Sequence, residues 1–209
     1  MSKAEIFNAL KNGAKHETLF SGATSDPKEF IVSADSDIVA EFIARASANK
    51  SIIIESSEQR LKDSINEIIT KENAKNLIYP QNLASLASEL EIESKFAFDN
   101  DIESFKERIF DYDISVINAR GGVSSHGVTC VSSAEAPRLL SLAPKICVVI
   151  LKRENIVKSL SEQLNKIKAE DGRLPTNVVF ISGPSRTSDI ELQLVLGVHG
   201  SQIFYVVLV

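Results

Sequence analysis

Cysteine is scarce. The 209-residue chain carries two, Cys130 and Cys147, and no C-x-x-C spacing. That count excludes an iron–sulfur cluster held by this chain alone and a structural zinc site of four thiolates. A mixed zinc site would have to recruit His16, His126 and His199, which lie far apart in sequence. No metal and no cofactor are therefore expected in this chain. Both cysteines sit inside apolar runs, which suits buried, inert thiols. An excess of positive charge is also lacking: 23 Lys and Arg against 28 Asp and Glu leave a net charge of -5. This is the wrong sign for a protein that neutralises a phosphate backbone, so nucleic acid is not an expected partner. No apolar run reaches the roughly 18 residues of a membrane span. The opening MSKAEIFNALKNGAKHETLF lacks a basic start followed by an apolar stretch. A cytoplasmic protein is expected. P-loop and G-x-G-x-x-G fingerprints are missing, and no repeat of fixed period occurs.

What is present is an apolar fraction of 44% with 24% charged residues, enough to build a core without disulfide or metal staples and too apolar for disorder. Ser2 can cap a short helix through Asn12, after which periodicity fades to Lys28. Residues 1–30 therefore read as an N-terminal helical arm, and 31–209 as a single α/β domain. Ile38, Phe42, Ile43 and Ala46 share a helical face, and Ile52–Ile54 reads as a strand. Helices are expected over Glu58–Thr70, Gln81–Leu90 and Ile102–Phe110. Strands are expected over Asn76–Tyr79, Phe96–Phe98, Asp113–Asn118, Val128–Val131, Lys145–Leu151, Val178–Ile181 and Ile203–Val209, with one helical turn at Arg138–Leu142. Ile156, Leu160, Leu164 and Ile167 recur as the core face of a further helix that Gly172 ends. The alternation predicts a mostly parallel or mixed sheet flanked by helices, with an antiparallel pair permitted between the Asp113 and Val128 strands.

Ligands of such sheets gather beyond the carboxyl ends of the strands, which directs attention to residues 182–189 after the Val178 strand. Gly183 lets the backbone turn and approach a ligand, Ser185 and Thr187 offer hydroxyls, and Arg186 offers a planar fork for carboxylate or phosphate. Ser188-Asp189-Ile190-Glu191 has capping-box spacing and opens an expected short helix containing Ile190, Leu194 and Val195. Asp189 and Glu191 complement that helix's dipole but repel an anion brought there, so a purely structural turn-plus-cap stays open. Gly197 suits a left-handed C-cap, and His199 is a loop histidine or a general base. His126-Gly127 is a turn before the Val128 strand. A Ser124 or Ser125 nucleophile paired with His126 lacks an orienting group and an oxyanion hole, so a serine hydrolase is rejected.

Ile181–Gly200, ISGPSRTSDIELQLVLGVHG, resembles the C-terminal signature of the LUD-domain family, lactate utilisation protein C type. Pro137–Leu142 with Pro144, Asn118-Ala119 and Gly127 resemble the family's segments in the same order. The resemblance covers about Asp113–Val209. It implies a fold similar to the sugar-phosphate isomerase and coenzyme A transferase-like group. It also implies iron–sulfur protein partners that carry the clusters, and participation in L-lactate oxidation to pyruvate. Two features depart from the family pattern. Ser125 and His126 replace a glutamate and a threonine, and Arg120 replaces an aspartate, so a carboxylate base does not carry over. The expectation is an accessory, cluster-free subunit that binds a small anion at Gly183, Ser185, Arg186 and Thr187, with Asn118, Gly127, Asp189 and Glu191 as further candidates. The alternative is a free-standing isomerase, transferase or cyclo-ligase-like enzyme acting on a phosphorylated small molecule, with His126 or His199 moving a proton.

Overall fold

The computed structural model describes residues 3, 8, 37–98, 108–187, 195–196 and 200–209. The expected helix from Ser2 and most of the expected Ile102–Phe110 helix lie outside these residues, although Ile109–Asp111 forms a 3-10 turn. The chain divides into Met1–Val32 and Ser33–Val209, and the architecture below is that of the second unit.

Six strands form an all-parallel sheet: β1 (Ile52–Glu55), β2 (Asn76–Pro80), β3 (Ser94–Phe98), β4 (Ile114–Asn118), β7 (Ile146–Leu151) and β12 (Ile203–Leu208), in the order β1-β12-β7-β4-β2-β3. In the central strands β7 and β12 the apolar runs are continuous because both faces are covered. Cys147, Val149 and Leu151 of β7 face one core with Phe204, Val206 and Leu208 of β12, while Ile146, Val148 and Ile150 face the other with Tyr205 and Val207. Helices α2 (Leu61–Glu72) and α3 (Ala84–Glu89) cover the second face through Ile65, Ile68, Ala87 and Leu90. Helix α1 (Ile38–Ala48) covers the first through Phe42 and Ala46. Asp37 caps α1 by accepting from Val39 N at 2.9 Å and Ala40 N at 3.2 Å.

A second sheet completes the first face: β8 (Ile156–Val157), β5 (Gly121–Val123), β6 (Val128–Ser132) and β9 (Val178–Ile181), in that order. It is mixed, with β5 parallel to β8 and antiparallel to β6, and β6 antiparallel to β9. The antiparallel pairing expected of the Val128 strand occurs, but with Gly121–Val123 rather than with β4. Gly121 and Gly122 carry no apolar signal, which is why this strand is invisible in hydropathy. Ile156 belongs to β8 and not to the helix that follows. Helix α4 (Leu160–Asp171) starts after Ser159, whose hydroxyl accepts from Glu162 N at 3.1 Å, and ends at Gly172 with φ 71°. Among the described residues no helix is long and apolar enough to cross a membrane.

The order of connections divides the parallel sheet. From β2 the chain passes outward to β3 through α3 on the second face. From β4 it passes the other way to β7, through β5 and β6 on the first face. Neighbouring strands β2 and β4 therefore form a topological switch point, the place beyond whose carboxyl ends ligands of such sheets gather.

Candidate functional site

Residues 182–187 do not lie at that carboxyl edge. Their preceding strand, β9, belongs to the mixed sheet, and the turn crosses the amino ends of three adjacent strands of the parallel one. Gly183 sits against the residues that enter β1: a Cβ there would stand 2.1 Å from Asn49 O and 3.5 Å from Ser51 N. Ser185 N donates to Ser201 O at 2.9 Å, and Gly200 packs against the Ser185 side chain just before β12. Ser201 Oγ in turn donates to Pro144 O at 2.8 Å, just before β7. Glycine is required at 183 twice over, by this close approach and by a φ of 74°.

The turn's chemistry is partly used internally. Arg186 is exposed, and its Nη2 donates to Ser182 O at 3.0 Å, which folds the guanidinium back over its own turn. Ser185 is half-buried. The backbone of Arg186 and Thr187 forms a short strand, β10, paired antiparallel with β11 (Val195–Leu196). Val195 is thus in a strand, where the sequence suggested helix, because pairing with β10 satisfies its backbone. Asp189, Glu191, Gly197 and His199, with the capping box, lie outside the described residues.

The His126–Gly127 turn arrives at the same element. A Cβ on Gly127 would lie 2.3 Å from Ala46 N and 2.4 Å from Arg45 C, so the turn is pressed onto the last turn of α1. Asn49 Nδ2 donates to His126 O at 2.8 Å. Asn49 therefore joins both glycine turns, one through its side chain and the other through its carbonyl, a role that its surroundings in sequence do not announce. The helix end that they share closes with Lys50 N bonded to Ser47 O and Ser51 N to Ala46 O, with Lys50 at φ 70°. This is a Schellman closure with lysine in the position that favours glycine.

His126 is exposed, and Ser125 Oγ lies 2.7 Å from its Nδ1. The contact is shorter than adjacency in sequence suggested. A nucleophile also needs its base oriented by a third group, and the ring's other nitrogen is on the exposed side chain with no described partner placed to orient it. Ser124 is wholly buried. Among the described residues the arrangement lacks the third member of a hydrolase triad.

Asn118 stands apart from all of these, at the carboxyl end of β4. Two residues on, Arg120 donates from Nη1 to Glu135 Oε1 at 2.7 Å and pairs through Nη2 with Glu170 at 3.0 Å and with Asp171. These partners hold the guanidinium charged, against the cost of its burial. Arginine at 120 therefore clamps α4 and the 133–137 segment to the mixed sheet. Both cysteines are fully buried, and desolvation pushes both thiols up to about 12, offset only in part by the charge of Arg120 at Cys130 and by a hydrogen bond with Ser115 at Cys147. In the metal-free chain both thiols are protonated near neutral pH, which suits buried, unreactive cysteines.

The model of the LUD domain matches residues 39–209, which is most of the chain. This chain belongs to the LUD domain family. Among its relatives, Lactate utilization protein C of Halalkalibacterium halodurans is 31% identical over 150 residues, 68% of this chain and 65% of that protein. The protein of the same name in Oceanobacillus iheyensis is 27% identical over 168 residues, 70% of this chain and 69% of that one. The uncharacterised protein YkgG of Escherichia coli is 45% identical over 92 residues, 42% of this chain and 39% of YkgG. The chain spans about half or less of the length of the first curated relatives it matches. A crystal structure of a DUF162 family protein from Deinococcus radiodurans shares the fold, with a TM-score of 0.61 at 16% identity, covering 82% of this chain and 95% of that one.

Proposed function

We propose that this LUD protein is an accessory, cluster-free subunit of an iron–sulfur system that oxidises L-lactate, and that it holds a small carboxylate or phosphate at residues 183–187. The observation that carries the reading is its similarity to proteins named Lactate utilization protein C, over two-thirds of the chain. The count of two cysteines, both buried, supports the assignment of the clusters to partner proteins. At the turn, Arg186 is the charged anchor. Its bond to Ser182 O is a single neutral-acceptor contact at the surface, which a bidentate carboxylate or phosphate can replace at a profit, since charge-assisted pairs are about twice as strong.

Two measurements test this. A tagged protein is recovered from its host grown on lactate, and its companions are identified by mass spectrometry with iron quantification. Iron-bearing companions are expected, and an iron-free homogeneous protein would overturn the subunit reading. Arg186→Ala is expected to weaken binding of lactate or phosphate by about tenfold, or 1.4 kcal/mol, in calorimetry. An unchanged affinity removes Arg186 from the site. The 2.7 Å contact between Ser125 and His126 favours a second reading, a proton-transferring enzyme of its own. His126→Gln abolishes turnover under that reading, and full retained activity rejects the role.

A further inference from the structure

An open groove of about 390 Å³ lies between the start of the 133–137 segment and the loop that joins α4 to β9. Its whole lining, residues 133, 134, 171 and 173–176, comes from the continuous described run 108–187. The two walls are fixed to each other. Ser133 N donates to Asn177 O at 3.0 Å, and Asn177 N donates back to Ser133 Oγ at 3.2 Å. Behind them Arg120 holds both walls at once, donating from Nη1 to Glu135 Oε1 at 2.7 Å and from Nη2 to Asp171. The chain leaves α4 through Gly172 at φ 71°, so Asp171 and Arg173 flank a sharp turn.

Apart from half-buried Pro175 the lining residues are exposed, and a ligand reaches them without displacing any part of the core. Two of them carry opposite charge. Asp171 shares Arg120 with Glu135 and Glu170, so three carboxylates face one guanidinium and leave negative charge in excess at that wall. It is also the last residue of α4, where the helix dipole is partially negative. Both features favour an ammonium group there. Arg173 forms no ion pair with Asp171 or with any other described residue, which leaves its N–H donors for an anion. The Thr176 hydroxyl and the hydroxyl hydrogen of Ser133, which accepting from Asn177 N does not use, add neutral donors. Leu174, 47% exposed, offers apolar surface together with Pro175 and Ala134, and covering such surface is favourable. The volume is at the low end of the roughly 300–1,000 Å³ of small-molecule sites, which suits a ligand of a few heavy atoms beyond its charged groups.

We infer that this groove is a second ligand site, separate from the 183–187 turn, and that it takes a small zwitterion, a free α-amino acid with an apolar side chain. The ammonium group pairs with Asp171 at the end of α4, the carboxylate pairs with Arg173 and the hydroxyls, and the side chain covers Leu174 and Pro175. A molecule with one charge uses only one of the two ends. Arg120 is a positioning residue: it holds Asp171 and the opposite wall and does not touch the ligand.

The test is an amide-resolved NMR titration of the full chain at pH 7 with L-leucine, alongside 4-methylpentanoate, which lacks the ammonium group, and isoamylamine, which lacks the carboxylate. Saturable shifts from leucine are expected at residues 133, 134, 171–174 and 176, with a dissociation constant of about 1 mM or tighter, and each half-ligand should bind at least about tenfold more weakly. Arg173→Ala removes an exposed side chain that holds no structural tie; it should weaken leucine binding by at least about fivefold and leave isoamylamine binding unchanged. Arg186→Ala should not alter leucine binding, so this site and the anion site fail independently. Absence of saturable leucine shifts in the groove overturns the proposal. So do half-ligands that bind as tightly as leucine, and so does a leucine affinity unchanged in Arg173→Ala.

Discussion

Replacing Gly183 with alanine tests the claim that the signature turn is seated on the end of α1. At φ 74° the new side chain enters the left-handed region, at a cost of about 1–2 kcal/mol. Its Cβ would also stand 2.1 Å from Asn49 O and 3.1 Å from Asn49 C. Those are backbone atoms of the Schellman closure, so relief requires displacing either the closure or the turn, an overpacking cost of about 1–3 kcal/mol. The total is roughly 2–5 kcal/mol. Gly172 isolates the first part: its φ is 71°, and nothing stands within 4 Å of a Cβ there. Gly172→Ala is therefore expected to cost only about 1–2 kcal/mol. For a chain of this size each kcal/mol lowers Tm by about 2–4 °C, so a 3 kcal/mol loss at Gly183 reads as roughly 6–12 °C in calorimetry or thermal circular dichroism. Urea midpoints provide a second measure. If Gly183→Ala loses no more than Gly172→Ala, the turn is not pressed on Asn49, and the joining of the two turns through that residue is refuted.

Two further predictions follow from local geometry and burial. Lys50 stands at φ 70° in a position made for glycine, so Lys50→Gly should gain about 0.5–1 kcal/mol after the added unfolded-state entropy, read as a Tm rise of about 1–4 °C; a fall in Tm contradicts the closure described here. The Cys130 and Cys147 thiols, held up to about 12 by burial, stay protonated in the fold where the unfolded chain has begun to lose its protons. Between the unfolded thiol value and about 12 the native state binds more protons. The contribution is therefore fully present below about pH 8.5 and is lost as pH rises towards 12. The urea midpoint should fall from pH 9 to pH 11 more steeply in the parent than in a Cys130→Ala/Cys147→Ala variant, and Ellman's reagent should react only on unfolding; equal slopes would defeat the assignment.

The parallel sheet is legible because its central strands are buried on both faces, which leaves runs such as Ile146–Leu151 with no polar interruption. The helix after β8 was legible in kind but not in start. Ser159-x-x-Glu162 is a capping sequence, with Glu162 Oε2 also accepting from Lys158 N at 3.0 Å, and reading it would have released Ile156 from the helical face. The β5 strand was illegible because its pairing lies in backbone hydrogen bonds from Gly121 and Gly122, with Gln163 and Phe42 filling the space that side chains would take. At the site, residue types were readable while position was not. Nothing local tells a strand of the mixed sheet from one of the parallel sheet, and so 182–187 was assigned to the wrong edge. Likewise, the meeting of Gly127 and Gly183 at Asn49 joins segments that are far apart in sequence, a contact that no periodicity encodes.

The edge on which the turn lies has a consequence for how it binds. In a parallel sheet flanked by helices, each helix that follows a strand starts at the carboxyl edge and returns its C-terminus to the amino edge, so the positive ends of helix dipoles gather at the carboxyl edge. The 183–187 turn is at the amino edge, and Gly183 meets the carbonyl of Asn49 at the C-terminal, partially negative end of α1. An anion there gains nothing from that helix and depends on Arg186, which is exposed and therefore screened. Binding of lactate or phosphate should accordingly be weak and strongly dependent on salt: raising ionic strength from 0.01 to 1 M shortens the Debye length from about 30 to 3 Å and should remove most of the affinity. Calorimetry of lactate and phosphate at both salt concentrations tests this without any mutation. An anion affinity that survives 1 M salt would require a desolvated cationic pocket, which an exposed Arg186 bonded to Ser182 O does not provide.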